Sequence, residues 1–272
     1  MATLHKYAAL AGVLLLVGCQ AVNTTGSSAV GVDRKQYMFS MLSTNEINQS
    51  YAQAYQETLQ QAQAKGKLDT RSNNAKRLQV IGQRLIAQAG YFRADAAQWD
   101  WQVSLIESPE LNANCGPGGK IIFYSGIITK LNLTDDEIAA VMGHEIAHAL
   151  REHSREAMSK AYGVEIAKLG LGAALGVSQD VMQIADAAVQ YGMTLPNSRS
   201  AETEADLLGI ELAARAGYNP NAAVSLWQKM EQVSQGAPAE FASTHPSSST
   251  RIQNLQANIP KVMPLYEQAR KR

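Results

Sequence analysis

The stretch His144-Glu145-Ile146-Ala147-His148 decides the fold of this chain. Two histidines four residues apart on a helix lie on the same face, where both imidazoles can bind one zinc ion. The glutamate between them is placed to act as a general base. Thr134 and Glu137 form a capping-box pattern just upstream, which independently predicts a helix here. We therefore expect both histidines to be zinc ligands and the glutamate to be the base.

A hydrolytic zinc site uses three protein ligands and leaves one position for water, so a third donor is expected elsewhere. The strongest candidate is Glu202, in a second predicted helix. Asp206 lies one turn further along the same face, where its carboxylate can accept the free ring N–H of a ligand histidine. Glu204 points to another side of this helix, and we expect it to be solvated. His153, five residues beyond the motif, is expected to lie off the zinc face as a structural or surface residue.

The N-terminus has the pattern of a bacterial lipoprotein leader. Lys6 precedes an apolar run too short to span a bilayer, and Leu16-Val17-Gly18-Cys19 resembles a lipobox cleaved before an acylated cysteine. We expect residues 1–18 to be a signal peptide and Cys19 to carry the lipid, with an ordinary signal peptide as the alternative. Gln20 stands where an inner-membrane lipoprotein typically carries Asp. By resemblance, this suggests the periplasmic face of the outer membrane of a Gram-negative cell.

The composition is that of one globular domain behind a polar linker. Hydrophobic residues make up 46% of the chain and its formal net charge is zero, so nothing points to a nucleic-acid partner. Residues 19–45 are rich in Ser, Thr, Gly and Asn without periodicity and predict a flexible tether. Residues 46–272 are expected to form the domain. After lipidation only Cys115 remains there, which excludes an intrachain disulfide and is interpreted as a loop residue.

Helical patterns outnumber strand patterns, which predicts an α+β, mostly helical fold with a small sheet beside the zinc-motif helix. Gly90 is expected to end one helix. Residues 164–193 are apolar but interrupted by charges, which favours a helical hairpin, with a membrane-facing or substrate-gating element as the alternative. Besides the motif helix, helices are expected at 45–63, 74–89, 200–216, 220–234 and 248–257, and strands at 99–105 and 121–124.

The motif helix (residues 133–148) and the segment at residues 198–206 resemble the zinc metallopeptidase family of CAAX prenyl endopeptidases, HtpX and BepA-like periplasmic proteases. The resemblance covers roughly the whole expected domain and implies a zincin-like fold in a peptidase-only lipoprotein. It implies that His144, His148 and Glu202 bind one zinc ion per chain. It also implies that Glu145 activates water.

Two further segments match positions of this family. Asn112, Ala113 and Asn114 begin a stretch that resembles the family's edge strand, where an extended substrate would add as a further strand. His245 matches a position near the zinc, and the resemblance implies either a donor to the oxyanion or a fourth ligand that blocks water. Arg251 follows the same segment and is either an electrostatic support for that loop or a surface residue.

The expected function is zinc-dependent endoproteolysis of unfolded or misassembled cell-envelope proteins, from the outer membrane or periplasm. One alternative is a chaperone-like or assembly-factor lipoprotein whose protease site is latent and gated by His245. A second alternative is a zinc hydrolase of non-peptide bonds. The predicted edge strand favours peptides as substrates.

Overall fold

The structure, a computed structural model, describes residues 19–26, 28–40, 42–161, 198–233, 241, 244–245 and 249–271. The expected signal peptide and the apolar segment 164–193 lie outside the described residues. Within the described ranges, no helix combines the length and apolarity needed to cross a bilayer. The predicted α+β, mostly helical fold with small sheets is confirmed.

The helices are α1 (Thr44–Ala64), α2 (Asn73–Phe92), α3 (Ser125–Lys130), α4 (Asp135–Leu150), α5 (residues 153–161), α6 (Arg199–Arg215), α7 (Ala222–Val233) and α8 (Ser249–Ala269). The strands are β1 (Cys19–Val22), β2 (Gln36–Phe39), β3 (Leu68–Asp69), β4 (Gln102–Ile106), β5 (Ala113–Gly116) and β6 (Lys120–Tyr124).

The main sheet has the strand order β3-β4-β6-β5. Strands β4 and β6 are parallel, with Val103 opposite Ile121, and the other two pairings are antiparallel. β5 pairs with Ala113 opposite Phe123 and forms one edge of the sheet. This edge strand packs against α4, so the sheet ends beside the helix that carries the zinc motif.

Helix α4 is the centre of the domain. It begins at the predicted capping box, in which the Glu137 amide donates to Thr134 Oγ1 at 3.3 Å and the Thr134 amide donates to Glu137 Oε2 at 2.9 Å. Every residue from Glu137 to Leu150 is buried, because α2, α6, α7 and β5 surround the helix. The motif side chains therefore lie inside the protein, at the meeting point of helices and sheet.

The N-terminal residues differ from the flexible tether predicted for residues 19–45. Strands β1 and β2 pair as an antiparallel ribbon. Val30 and Val32 are buried in the main core, and the Ala29 amide donates to Glu211 Oε2 at 2.8 Å. The polar composition concealed this order, because the segment buries isolated apolar residues and polar contacts instead of a periodic apolar face.

Two helices are longer than the sequence predicts. Helix α2 continues past Gly90 to Phe92, whose ring is buried in the main core. Helix α8 continues through Pro260 to Ala269, and Ile259 and Val262 attach it to the same core. Tertiary packing thus overrides local signals for helix termination.

The predicted strand at residues 99–105 begins later than expected. Trp99 and Trp101 precede β4 and stack on each other with ring centroids 5.3 Å apart. Cys115 was predicted to lie in a loop but lies in β5, where its side chain is buried. Its pairing with β6 places it on the sheet edge that faces α4.

Candidate metal centre

Helices α4 and α6 bring the three predicted ligands together. Nε2 of His144 lies 3.0 Å from Nε2 of His148. Oε1 of Glu202 lies 3.3 Å from Nε2 of His148, and Oε2 lies 3.5 Å from Nε2 of His144. All three side chains are buried. Although burial raises the pKa of Glu202, hydrogen bonds from the surrounding imidazoles hold it well below its usual range, so this carboxylate is ionised.

His245 joins these ligands from a separate segment. Its backbone amide donates to the carbonyl of Phe241 at 2.8 Å, and the two rings stack with centroids 4.4 Å apart. Nδ1 of His245 lies 3.0 Å from Oε1 of Glu202 and 3.2 Å from Nε2 of His144. His245 is therefore placed as a fourth donor.

The four donor atoms fit a zinc ion. One atom each from His144, His148, Glu202 and His245 lies within 4.8 Å of the others, and all four residues are buried. Three imidazole nitrogens and one carboxylate oxygen are donors that zinc prefers. Lone pairs of facing imidazole nitrogens repel each other unless a proton or a cation lies between them, which favours an ion at their common centre.

Glu145 faces the same centre with an oxygen that accepts no hydrogen bond from the residues that the structure describes. Nε2 of His245 lies 3.4 Å from this oxygen, Oε1. Burial, helped by the charge of Glu202, raises the pKa of Glu145 above its ordinary value. A carboxylate with a raised pKa is a better proton acceptor near neutral pH.

Two glycines allow α4 and α6 to cross closely enough to share the site. A Cβ on Gly143 would lie 2.9 Å from the carbonyl oxygen of Gly209. A Cβ on Gly209 would lie 2.9 Å from the backbone nitrogen of His144. Because both obstacles are backbone atoms, any larger residue would separate the helices and move Glu202 away from the histidines.

The structure places Asp206, the predicted partner of His144, next to that ring. Its Oδ1 lies 3.1 Å from Nδ1 of His144. Arg251, left open between a loop support and a surface residue, is buried and binds two carboxylates of α6. Its guanidinium contacts Asp206 at 2.6 and 2.7 Å and Glu202 at 2.6 Å. One arginine thus compensates two buried acidic groups that orient the centre.

One prediction about a neighbouring residue was wrong. Glu204 is buried instead of solvated, because Arg34 and Arg151 pair with it. His153 is a buried structural residue, which was one of the two expected alternatives, and its Nδ1 lies 2.8 Å from Nδ1 of His148. Helical periodicity does not predict this contact, because α4 ends at Leu150 and the chain turns before α5 begins.

A cleft of about 230 Å³ opens beside Glu145 and His245. The predicted substrate segment Asn112, Ala113 and Asn114 lines it. Helix α1 also lines the cleft with Tyr51 and Tyr55, which lie four residues apart and have no role predicted from the sequence. Further lining residues include Cys115, Ile122 and Tyr124.

Comparison with known families and proteins gives a consistent result. The profile described as "Peptidase family M48" matches residues 72–259. "Mitochondrial metalloendopeptidase OMA1" of Schizosaccharomyces pombe is 35% identical over 180 residues, which cover 65% of this chain and 51% of that protein. "Metalloprotease YcaL" of Escherichia coli is 27% identical over 257 residues, 90% of this chain and 92% of that protein. "Metalloprotease LoiP" of the same organism is 26% identical over 251 residues, 91% and 93% of the two chains. The chain spans about half the length of the yeast OMA1 proteins that it matches.

Proposed function

The chain belongs to peptidase family M48, whose profile matches more than half of its length, and we propose that it is a zinc-dependent endopeptidase acting on cell-envelope proteins. The observation that carries this proposal is the convergence of four donor atoms within 4.8 Å beside Oε1 of Glu145, which accepts no hydrogen bond from the described residues. One zinc ion per chain is proposed, with His144, His148 and Glu202 as its ligands. The names of the relatives, metalloendopeptidase and metalloprotease, support the same reaction class.

The metal ligands and Glu145 have different roles in the proposed hydrolysis. His144, His148 and Glu202 would hold a zinc ion, which would supply the Lewis acidity that polarises a peptide carbonyl and acidifies water. Oε1 of Glu145 takes a proton from the attacking water and returns it to the nitrogen of the leaving amine. The hydroxyl adds to the carbonyl carbon, the C–N bond breaks, and the products are a carboxylate and an amine.

The cleft favours an extended polypeptide as the substrate. β5 is the edge strand of its sheet and has β6 as its pairing partner, so a substrate strand can pair along its other side. Asn112, Ala113 and Asn114 then contact the substrate backbone close to Glu145. Such binding requires an unpaired stretch of chain, and unfolded or misassembled proteins supply one.

A latent site is the second candidate function, and the position of His245 favours it. Its Nδ1 lies among the ligand atoms, where a fourth protein donor would take the position that a hydrolase keeps for water. In that form the protein would act as a chaperone-like or assembly-factor lipoprotein until His245 moves away. Whether His245 occupies the water position or leaves it then decides between the two functions.

We propose that Cys19 anchors the protein by lipid to the periplasmic face of the outer membrane. The lipobox-like Leu16-Val17-Gly18-Cys19 and the following Gln20 support this location. Growth with a labelled fatty-acid analogue should label the wild type and leave Cys19→Ala unlabelled. Label retained by Cys19→Ala would exclude acylation at this residue.

The peptidase proposal is tested with purified protein and casein. Wild type should degrade casein, a metal chelator should stop the reaction, and added zinc should restore it. Glu145→Gln should bind zinc normally and lose about 10²–10⁴-fold in rate, because the amide cannot accept the proton. Glu231→Gln, on the exposed face of α7, is the matched control and should match wild type. Casein cleavage by Glu145→Gln at the wild-type rate would refute the assignment.

The choice of natural substrates is tested in cells. Envelope peptides from the wild type are compared with those from a strain that carries Glu145→Gln. Fragments of outer-membrane or periplasmic proteins should be present in the wild type and missing from the variant. Identical fragment sets would exclude envelope proteolysis under the conditions of growth.

A further inference from the structure

The nitrogen of His148 that faces away from the metal centre contacts a buried polar chain. Nδ1 of His148 lies 2.8 Å from Nδ1 of His153. Nε2 of His153 lies 3.1 Å from Oε2 of Glu204. All three side chains are buried, so water does not compete for these contacts. This polar chain of contacts leads from His148 on α4 through His153, the first residue of α5, to Glu204 on α6.

The two distances determine where the ring hydrogens are. When Nε2 of His148 is a ligand atom, the ring of that residue carries its hydrogen on Nδ1. Nδ1 of His148 therefore donates to Nδ1 of His153, which accepts. The neutral ring of His153 then carries its hydrogen on Nε2, and this atom donates to the carboxylate of Glu204. Each contact fixes the tautomer of the next ring.

Glu204 is itself fixed by two arginines. Nε of Arg151 donates to its Oε2 at 2.8 Å, and the guanidinium of Arg34 pairs with the same carboxylate. The side chain of Arg151 is completely buried. Its other nitrogens donate to Asn23 Oδ1 at 2.8 Å and to the carbonyl of Arg34 at 2.7 Å. The N-terminal segment therefore closes the polar chain from the far side.

We propose that His153 and Glu204 are positioning residues that hold His148 in the orientation and tautomer required for metal binding, with Arg151 fixing Glu204. This inference rests on the proposed zinc centre. A carboxylate that acts through a second imidazole is a longer form of the carboxylate–histidine–metal arrangement, in which the outer partner orients the ligand and raises its basicity. Asp206 contacts His144 directly, whereas Glu204 acts on His148 through His153.

Two amide substitutions at His153 separate hydrogen bonding from packing. In His153→Asn the amide oxygen can occupy the position of Nδ1 and accept from His148. In His153→Gln the longer amide reaches the position of Nε2 and leaves His148 without its acceptor. Both variants of the full chain are compared by zinc affinity in chelator competition and by the visible spectrum of the cobalt-substituted protein. Circular dichroism of the metal-free proteins confirms that each variant is folded.

We expect zinc affinity about 10 to 100-fold weaker in His153→Gln, with an altered cobalt spectrum, and affinity within about 3-fold of wild type in His153→Asn. The pair Glu204→Gln and Glu156→Gln tests the next position. Both remove a partner of Arg34, but only Glu204 contacts His153. Glu204→Gln should weaken zinc binding about 10-fold, and Glu156→Gln should leave it unchanged.

Wild-type affinity and an unaltered cobalt spectrum in His153→Gln would overturn the proposal. Equal weakening in both His153 variants would also overturn it, because packing would then be the cause. A Glu204→Gln protein that binds zinc like Glu156→Gln would remove Glu204 from the support. Failure of the proposed function is distinct: it would appear as wild-type protein that binds zinc, shows this pattern of affinities and cleaves no peptide.

Discussion

Nε2 of His245 lies 3.4 Å from Oε1 of Glu145. The opposite nitrogen of the same ring lies 3.0 Å from Oε1 of Glu202, so one imidazole contacts both the expected base and an expected ligand. A ring that contacts both residues can occupy the position that the attacking water needs. Hydrolytic zinc sites have three protein ligands and an open position, whereas sites with four protein ligands are structural.

We therefore predict that His245→Ala raises the rate of casein cleavage several-fold and weakens zinc binding. The gain should vanish in the double variant His245→Ala/Glu145→Gln, because the same base is required. Activity and zinc content are measured on the same preparations. A loss of about 10²–10³-fold with normal zinc binding would instead identify His245 as a donor to the oxyanion.

The zinc motif could be predicted because its geometry is local. His144 and His148 lie four residues apart, and the helix that aligns them has its own capping box. That Glu202 lies near these histidines was predicted from a second helix and from the need of a hydrolytic zinc ion for a third protein ligand. The two helices themselves were predicted from short-range periodicity, which a sequence shows directly.

The support of the centre could not be predicted, because it depends on contacts between distant segments. Glu204 is buried by Arg34, and that contact spans 170 residues. Arg251 reaches Asp206 across 45 residues. The contact between His153 and His148 could not be predicted for a local reason, since Glu152 adopts a positive φ of 50° and ends the helical periodicity. A single residue in this conformation changes the direction of every residue after it.

Asp206→Asn is predicted to weaken zinc binding by about 10 to 100-fold, because the neutral amide is a poorer acceptor for the Nδ1 hydrogen of His144. The amide also removes one charge that compensates Arg251. Zinc affinity is measured by chelator competition, with Glu231→Gln as the exposed control. Wild-type affinity in Asp206→Asn would mean that the contact with His144 contributes only to folding.

Gly209→Ala is predicted to destabilise the protein by about 1–3 kcal/mol, although alanine normally favours a helix over glycine by about 1 kcal/mol. The added methyl would meet the backbone nitrogen of His144 at 2.9 Å and separate α4 from α6. Zinc affinity should fall as well, because Glu202 moves with α6. Urea unfolding and chelator competition measure the two effects.

Gly90→Ala on α2 is the control, since its nearest contact is the methyl of Ala97 at 3.2 Å. A Gly209→Ala protein as stable as Gly90→Ala would contradict the close crossing.

Acid should weaken the attachment of the N-terminal segment through Glu156. Burial raises the pKa of this carboxyl, but hydrogen bonds from Arg34, Lys160 and Gln36 outweigh burial and lower its pKa to about 2 from the ordinary 4.5. A group whose pKa is lower in the folded state contributes its full stability above the unfolded pKa. That contribution is lost as the pH falls from about 4.5 through 2.

Glu156→Gln is therefore predicted to be less stable than wild type by about 2 kcal/mol at pH 7. The difference should shrink progressively below pH 4.5, as the wild-type carboxyl becomes protonated. Urea unfolding of the metal-free proteins at pH 7, 4 and 3 measures it and avoids the release of zinc in acid. Glu231→Gln, whose acidic group is exposed, should show little difference from wild type at any of these values. A wild-type advantage over Glu156→Gln that stays constant from pH 7 to 3 would mean that the carboxyl acts through its shape and not through its charge.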